Sequence, residues 1–240
     1  AITRRRRSLR QFGSRVKELV GAGLVLTPDL IAWCWMDYGG INPIVLQSLL
    51  APGVLPFHID TLIGGVPLLC YAARSSTEIL TMCLSRGASV GVRDAYGRTA
   101  LHYAVTCWPQ HYTVSRASEV GPANVRLLLQ HGADPQAADD EGYTPVMLCL
   151  AFYQMYYYRE VPHLLQPHKL SACSVYGDTI ASLVARAMKS GAPSQWFTAP
   201  FNLTSPDLIA ATCAAPPLAR GLVVEATRPT HACHLFDAPM

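Results

Sequence analysis

Apolar residues recur along this chain in short stretches with helical spacing, each beginning two residues after a glycine. The clearest stretch is Thr99-Ala-Leu-His-Tyr-Ala104, and similar stretches begin at Val66 and at Thr144. After the stretches that begin at Val66 and at Thr99, a second apolar stripe with helical spacing ends in a Gly-Ala pair, at Gly87 and at Gly132 respectively. A pattern that returns in this way predicts a stacked repeat, in which each unit is a turn, a helix, a turn and a helix.

The residue types at the turns agree with this interpretation. Thr144 and Pro145 suit a helix start, because Thr caps the first free N–H groups and Pro already has a helical φ. Gly97 and Gly142 stand where the chain must turn sharply, and glycine reaches the positive φ that such turns need. The residues expected to hold the repeats together are Gly97, Thr99, His102, Gly132, Gly142, Thr144 and Pro145.

The motif is seen best in Asp94-Ala-Tyr-Gly-Arg-Thr-Ala-Leu-His-Tyr-Ala104 and in residues 124–145, and it resembles the ankyrin repeat. The resemblance covers residues 64–150 of the chain. It implies an all-α fold, an ankyrin-type α-solenoid of stacked helix-turn-helix repeats with short hairpin turns. It also implies a structural role for His102, because the imidazole at this position of the repeat bonds backbone groups of the adjoining turn.

Less complete copies of the repeat motif indicate how the rest of the chain is divided into units. We expect a basic N-terminal segment with a partial helix at 1–26, the ankyrin-repeat domain at 27–213, and an irregular or truncated tail at 214–240. The expected units of the domain are 27–63, 64–96, 97–141, 142–203 and one from 204 to 213 onward. Two units, 97–141 and 142–203, are long, which predicts insertions between their helices. Leu183-Val-Ala-Arg-Ala-Met-Lys-Ser-Gly-Ala192 is interpreted as the end of the second helix of unit 142–203.

Composition narrows the class of protein. Half of the 240 residues are hydrophobic and only 15% are charged, which favours a packed core over disorder. A net charge of +3 is too small to indicate nucleic-acid binding, and no apolar run is long enough to predict a membrane span. The basic cluster Arg4-Arg-Arg-Arg7 is either a nuclear-localisation or phosphate-binding patch or a solvated terminus.

The cysteines and histidines give little indication of chemistry. Most of the eight cysteines fall inside predicted helices and none form a Cys-x-x-Cys pair, which is typical of buried thiols in a reducing compartment. We therefore expect an intracellular protein, cytoplasmic or nuclear. His231-Ala-Cys-His234 is the one tight group of metal-type ligands, and no second pair stands near it in the sequence. The sequence predicts no catalytic residue, no cofactor and no metal, and thus no enzyme.

The resemblance implies a non-catalytic scaffold or adaptor, monomeric, that binds another protein through hairpin tips and the first helices of its units. The tip candidates are Arg93, Ala95, Tyr96, Ala138, Asp140 and Glu141, and the first-helix candidates are Tyr103, Thr106 and Leu148. Because the tips carry both signs of charge, a partner of mixed charge is expected.

Two alternatives stay open at this point. Trp108 and Tyr112, with a run of tyrosines after Phe152, either form a second binding surface on the insertions or extend the core. The alternative function is a substrate-recognition adaptor of a ubiquitin ligase, whose recruiting box lies outside this chain or is unrecognisable within it.

Overall fold

The computed structural model describes residues 57–106, 114–151, 160–165 and 172–189, with a few positions before residue 57 and residue 197. The described strands and helices, in chain order, are β1 (Leu62–Ile63), β2 (Val66–Pro67), α1 (Leu68–Ala73), α2 (Thr77–Ser85), α3 (Ala100–Val105), α4 (Val114–Gln130), α5 (Pro145–Ala151), α6 (Val161–Leu165) and α7 (Ile180–Lys189). Within these residues, no helix combines the length and the hydropathy needed to cross a membrane.

The first described turn is a small hairpin. Strands β1 and β2 run antiparallel, with Ile63 opposite Val66. The two residues between the strands, Gly64 and Gly65, have φ values of 58° and 80°. Two successive positive φ values match the right-handed twist of a two-residue hairpin, and glycine adopts them without steric cost. Helix α1 then begins directly after β2.

The helices stack in the order of the sequence. Helices α1, α3, α5 and α7 contact one another in succession and form one layer. Helices α2, α4 and α6 contact one another in succession and form a second layer against it. Such sequential packing, in which each helix pair covers the apolar flank of the previous pair, is the geometry of a solenoid. It confirms the predicted fold class.

The core lies between the two layers. Leu80 of α2, Leu101 of α3, Leu128 of α4 and Met147 of α5 are among its fully buried side chains. The apolar stripes that predicted the repeat are therefore the faces on which neighbouring helices pack. Burial of this apolar surface stabilises the stack by roughly 25 cal/mol per Å² removed from water.

A buried asparagine joins consecutive units in the second layer. The Nδ2 group of Asn124 in α4 donates to the carbonyl of Ala73, 2.9 Å away, at the end of α1. Its Oδ1 accepts from the hydroxyl of Thr77 at 2.8 Å, at the start of α2. Both polar ends of the side chain are thus satisfied, as burial requires. These two bonds hold α4 against the turn between α1 and α2.

The predicted insertion of unit 97–141 lies partly within a helix. The length of this unit predicts extra residues between its two helices. Instead, α4 begins at Val114 and runs through Pro122, so that the second helix is extended at its N-terminal end. Proline interrupts one backbone hydrogen bond of a helix, and here the following turns are held by the buried Asn124 and Leu128. Trp108 and Tyr112 lie outside the described residues.

The predicted unit 142–203 also differs from the structure. A turn at 174–177 follows α6, and Gly177 there has a φ of 81°, close to the 83° of Gly142. Helix α7, which starts after this turn, packs on α5 and so holds the position of a first helix. We therefore propose that a new unit begins near Gly177 and that Ile180–Lys189 is its first helix, in place of the predicted second-helix end at 183–192. The remaining unit boundaries stay predictions.

Candidate functional site at the hairpin tips

Three successive turns have the same hydrogen-bonded geometry. Each begins with a short polar side chain that accepts two backbone N–H groups, from the residues two and four positions later. These acceptors are Asp94 for Tyr96 and Arg98 (both 2.8 Å), Asp139 for Glu141 and Tyr143 (3.1 and 2.8 Å), and Ser174 for Tyr176 and Asp178 (3.3 and 3.1 Å). A side chain that satisfies two N–H groups fixes the loop without help from a sheet. The backbone conformation of each tip is therefore fixed by hydrogen bonds within the turn.

Backbone hydrogen bonds connect each tip to the tip before it. The N–H of Ala95 donates to the carbonyl of Gly65 at 3.2 Å. In the same way Asp140 donates to Tyr96 at 3.0 Å, and Val175 donates to Glu141 at 2.8 Å. The tips thus form a ladder along one edge of the stack, with one inter-tip bond for each pair of neighbours.

Arg93 reinforces this ladder. Its Nη1 group donates to the carbonyls of Gly97 and of Ala138, each at 2.6 Å, and so joins its own turn to the next one. Sequence analysis placed Arg93 among the partner-binding residues. In the structure its guanidinium is bonded to two carbonyls of the tips, and Ala138 supplies one of them through its backbone.

His102 fastens two units below the tips. Its Nε2 lies 3.1 Å from the carbonyl of Tyr143, and its Nδ1 lies 3.1 Å from the backbone N–H of Thr99. Because a backbone N–H can only donate, Nδ1 is the unprotonated acceptor and Nε2–H donates to Tyr143. Both nitrogens of a neutral imidazole are used. Burial lowers the pKa of His102 to about 4.

A buried polar cluster supports the first of the three tips, the turn that begins at Asp94. The hydroxyl of Tyr103 donates to Oδ2 of Asp94 at 2.6 Å, and Nε of Arg98 lies 3.3 Å from the same oxygen. Burial and this hydrogen bond raise the pKa of Tyr103. The Arg98 guanidinium lies under the ring of Tyr96, 4.7 Å from its centroid, an arrangement that stabilises the ring's position.

Two of the first-helix candidates are not accessible. Tyr103 is 2% exposed and bonded to Asp94, and Leu148 is buried in the core. Neither side chain offers surface to a partner, because each points between helices. Thr106 is half-buried, and its hydroxyl donates to the carbonyl of His102 at 3.0 Å at the end of α3. The first helices therefore contribute less to the site than sequence analysis expected.

The exposed residues of the site lie on the tips. Arg93, Ala95, Ala138 and Asp140 are exposed, and Glu141 is half-buried. Tyr96 is 37% exposed. The third tip adds two large apolar side chains that sequence analysis missed, Val175 at 69% and Tyr176 at 56% exposure.

A signal for this third tip was present in the sequence. Ser174 stands three residues before Gly177, and Thr179 follows two residues after it, the spacing of the two preceding turns. Thr179 and Ser182 also cap α7 reciprocally: the Thr179 N–H donates to Oγ of Ser182 at 2.9 Å, and the Ser182 N–H donates to Oγ1 of Thr179 at 3.1 Å.

The thiols are placed as apolar residues. Cys70, Cys83 and Cys149 are buried. Burial raises the pKa of Cys83 and of Cys149 to about 12, which disfavours the thiolate that a nucleophile or metal ligand needs. In the described ranges no three His, Cys, Asp or Glu side chains come together in a way that could hold a metal ion. His231 and His234 lie outside these ranges.

Comparison with known proteins identifies the repeat. Residues 96–140 match the family model of the ankyrin repeat. The chain is 35% identical over 79 residues, 32% of its length, to an ankyrin repeat protein of Fowlpox virus (strain NVSL). It is 34% identical over 105 residues, 44% of its length, to an L-asparaginase of Dirofilaria immitis. The chain spans 16% of the length of each relative, a share that does not carry the asparaginase activity over to it.

Proposed function

Because residues 96–140 form an ankyrin repeat, we propose that this chain is a non-catalytic module that binds another protein through its hairpin tips. Ankyrin repeats generally mediate protein binding. We call the proposed binding area the tip surface and define it by Tyr96, Asp140, Glu141, Val175 and Tyr176. The observation that carries the proposal is the exposure of Tyr96, Val175 and Tyr176 on the first and third tips of one ladder.

The chemistry of these side chains supports the proposal. Tyrosine is enriched at the energetic centres of protein interfaces, because its ring buries much area and its hydroxyl finds a polar partner. The hydroxyl of Tyr176 donates to Oε1 of Glu141 at 3.2 Å, and the ring of Tyr176 lies 6.4 Å from that of Tyr143. Tyr176 is therefore held in place before a partner arrives.

Rigidity of the backbone supports it as well. Each tip is closed by a short polar side chain and bonded to the preceding tip. A preformed surface loses little conformational entropy when it binds, so that more of the contact energy remains as affinity. The adaptor role in a ubiquitin ligase, the monomeric state and the intracellular compartment stay predictions.

A site-specific cross-link tests the proposal. Benzoylphenylalanine in place of Tyr176 is expected to cross-link a partner protein in cells, whereas the same group in place of Glu78, exposed on α2, is not. The double variant Tyr96→Ala with Glu141→Ala should reduce this capture at least about tenfold, since it truncates an aromatic contact and a charge at the interface. Its circular dichroism should stay that of the wild type. Equal cross-linking from both positions, or capture that the double variant does not change, would move the site away from the tips.

A further inference from the structure

The accessible charge on the tip surface is acidic. Asp140 is exposed, and Glu141 next to it is half-buried. Two cations lie near this surface and both are bonded: exposed Arg93 donates to two carbonyls, and Arg186, with its side chain 41% exposed, lies 2.7 Å from the carboxylate of Asp178. The carboxylates carry no such bond to backbone carbonyls, whereas the guanidinium of Arg93 is used between the tips.

The buried cation near this surface is also neutralised. Arg98 is buried, and its Nε lies 3.3 Å from Oδ2 of Asp94. Its guanidinium is covered by the ring of Tyr96. A partner that approaches the tip surface from solvent therefore meets the carboxylates of Asp140 and Glu141, with the exposed guanidinium of Arg93 held beside them on two backbone carbonyls.

The aromatic and acidic groups form one continuous strip. The side chain of Asp140 lies against Gly97, the residue after Tyr96, so closely that a Cβ at Gly97 would come within 2.9 Å of its Cγ. Glu141 follows in the chain, and its Oε1 accepts the hydroxyl of Tyr176 at 3.2 Å. The order across three tips is therefore Tyr96, Asp140, Glu141, Tyr176.

We propose that this strip binds a basic segment of a partner protein and seats an arginine or lysine side chain between Tyr176 and the carboxylates of Asp140 and Glu141. The inference rests on the proposed function and names the chemistry of the partner. A cation gains from a carboxylate and from the face of a tyrosine at the same time. Val175, which is 69% exposed, offers an apolar surface for the aliphatic stem of the same residue.

Selection of peptides by charge tests this inference. A random heptapeptide display library is selected on the wild-type chain, and the dissociation constants of the selected peptides are then measured on variants. We expect the selected peptides to be enriched in Arg and Lys. Their affinity should fall about 10- to 100-fold for Asp140→Lys with Glu141→Lys, because each close charge pair becomes repulsive. The matched variant Glu78→Lys, on the exposed face of α2, should leave the affinity unchanged.

A second variant, which removes the two charges without reversing them, controls for misfolding caused by the lysine substitutions. Asp140→Asn with Glu141→Gln keeps the size of both side chains, and we expect a smaller loss of affinity with unchanged circular dichroism. The inference is overturned if the wild type selects no peptide, if the selected peptides are acidic or uncharged, or if basic peptides bind both tip variants as well as the wild type. The proposed function fails by a different result, the absence of a partner cross-linked from position 176. A cross-linked partner segment without basic residues would contradict the inference alone.

Discussion

The free energy of unfolding is expected to fall by about 3 kcal/mol through His102 as the pH drops from about 6.5 to about 4. Burial lowers the pKa of this imidazole in the folded chain, whereas the unfolded chain binds the proton near pH 6.5. Between these two values only the unfolded state is protonated, so acid favours unfolding. The geometry gives the same sign, since a proton on Nδ1 would face the N–H of Thr99.

Urea denaturation at a series of pH values measures this effect. Asp139 acts in the opposite direction, because burial raises its pKa to about 6 and its contribution is lost as the pH rises through that value. The comparison must therefore be made between wild type and His102→Gln, in which the acid-dependent loss should disappear. The control His131→Gln removes an exposed imidazole at the end of α4 and should keep the loss. An unchanged pH profile in His102→Gln would show that His102 is not the titrating group.

The second large effect is expected for Gly97→Val. Gly97 has a φ of 73°, and Gly132, at the end of α4, has a φ of 84°. Valine at either position is strained by roughly 1–3 kcal/mol. A Cβ at Gly97 would also lie 2.9 Å from the backbone nitrogen of Asp140, which donates to Tyr96, whereas a Cβ at Gly132 meets nothing within 4 Å.

Thermal and urea unfolding of the two variants separate two effects. Backbone strain at a positive φ acts in both variants, whereas the clash with Asp140 acts only in Gly97→Val. Gly97→Val should be less stable than Gly132→Val by a further ~1–3 kcal/mol, because its side chain forces the first and second tips apart. Equal destabilisation of the two variants would mean that the tips do not approach as closely as described.

The spacing of glycine, threonine and histidine was enough to predict the stack of helix pairs. It failed at the third tip because Ser174 replaces the aspartate of the earlier turns and Ser182 replaces the histidine. Ser174 accepts backbone N–H groups as the aspartates do, and Ser182 accepts the N–H of Thr179 as His102 accepts that of Thr99. The pattern is therefore one of polar groups at fixed spacing, and searching for particular residue types missed it.

The site was less predictable than the fold. Arg93 is adjacent to the turn in sequence, but its bond to Ala138 depends on where a carbonyl of the next unit lies. The burial of Tyr103 and of Leu148 depends on the rotation of α3 and α5 in the stack. Such distances between units are not contained in the periodicity of a single unit.

The loss of the histidine in the next repeat is visible both in the sequence and in the structure. Met147 occupies in α5 the position that His102 has in α3, and methionine has no group that could bond the next turn. In agreement, the hydroxyl of Thr144 is buried and lacks a hydrogen-bond partner in the described part of the chain. The junction between the first and second tips has the imidazole, and the junction between the second and third tips does not.

Amide hydrogen exchange at Ala95, Asp140 and Val175 tests the central claim most directly, namely that successive units are joined tip to tip. All three residues are exposed, yet each N–H donates to the carbonyl of the preceding tip. Stacked units predict that all three amides exchange far more slowly than in the unfolded chain. Exchange of these amides at the unprotected rate, while the amides of α3 and α5 stay protected, would contradict the account.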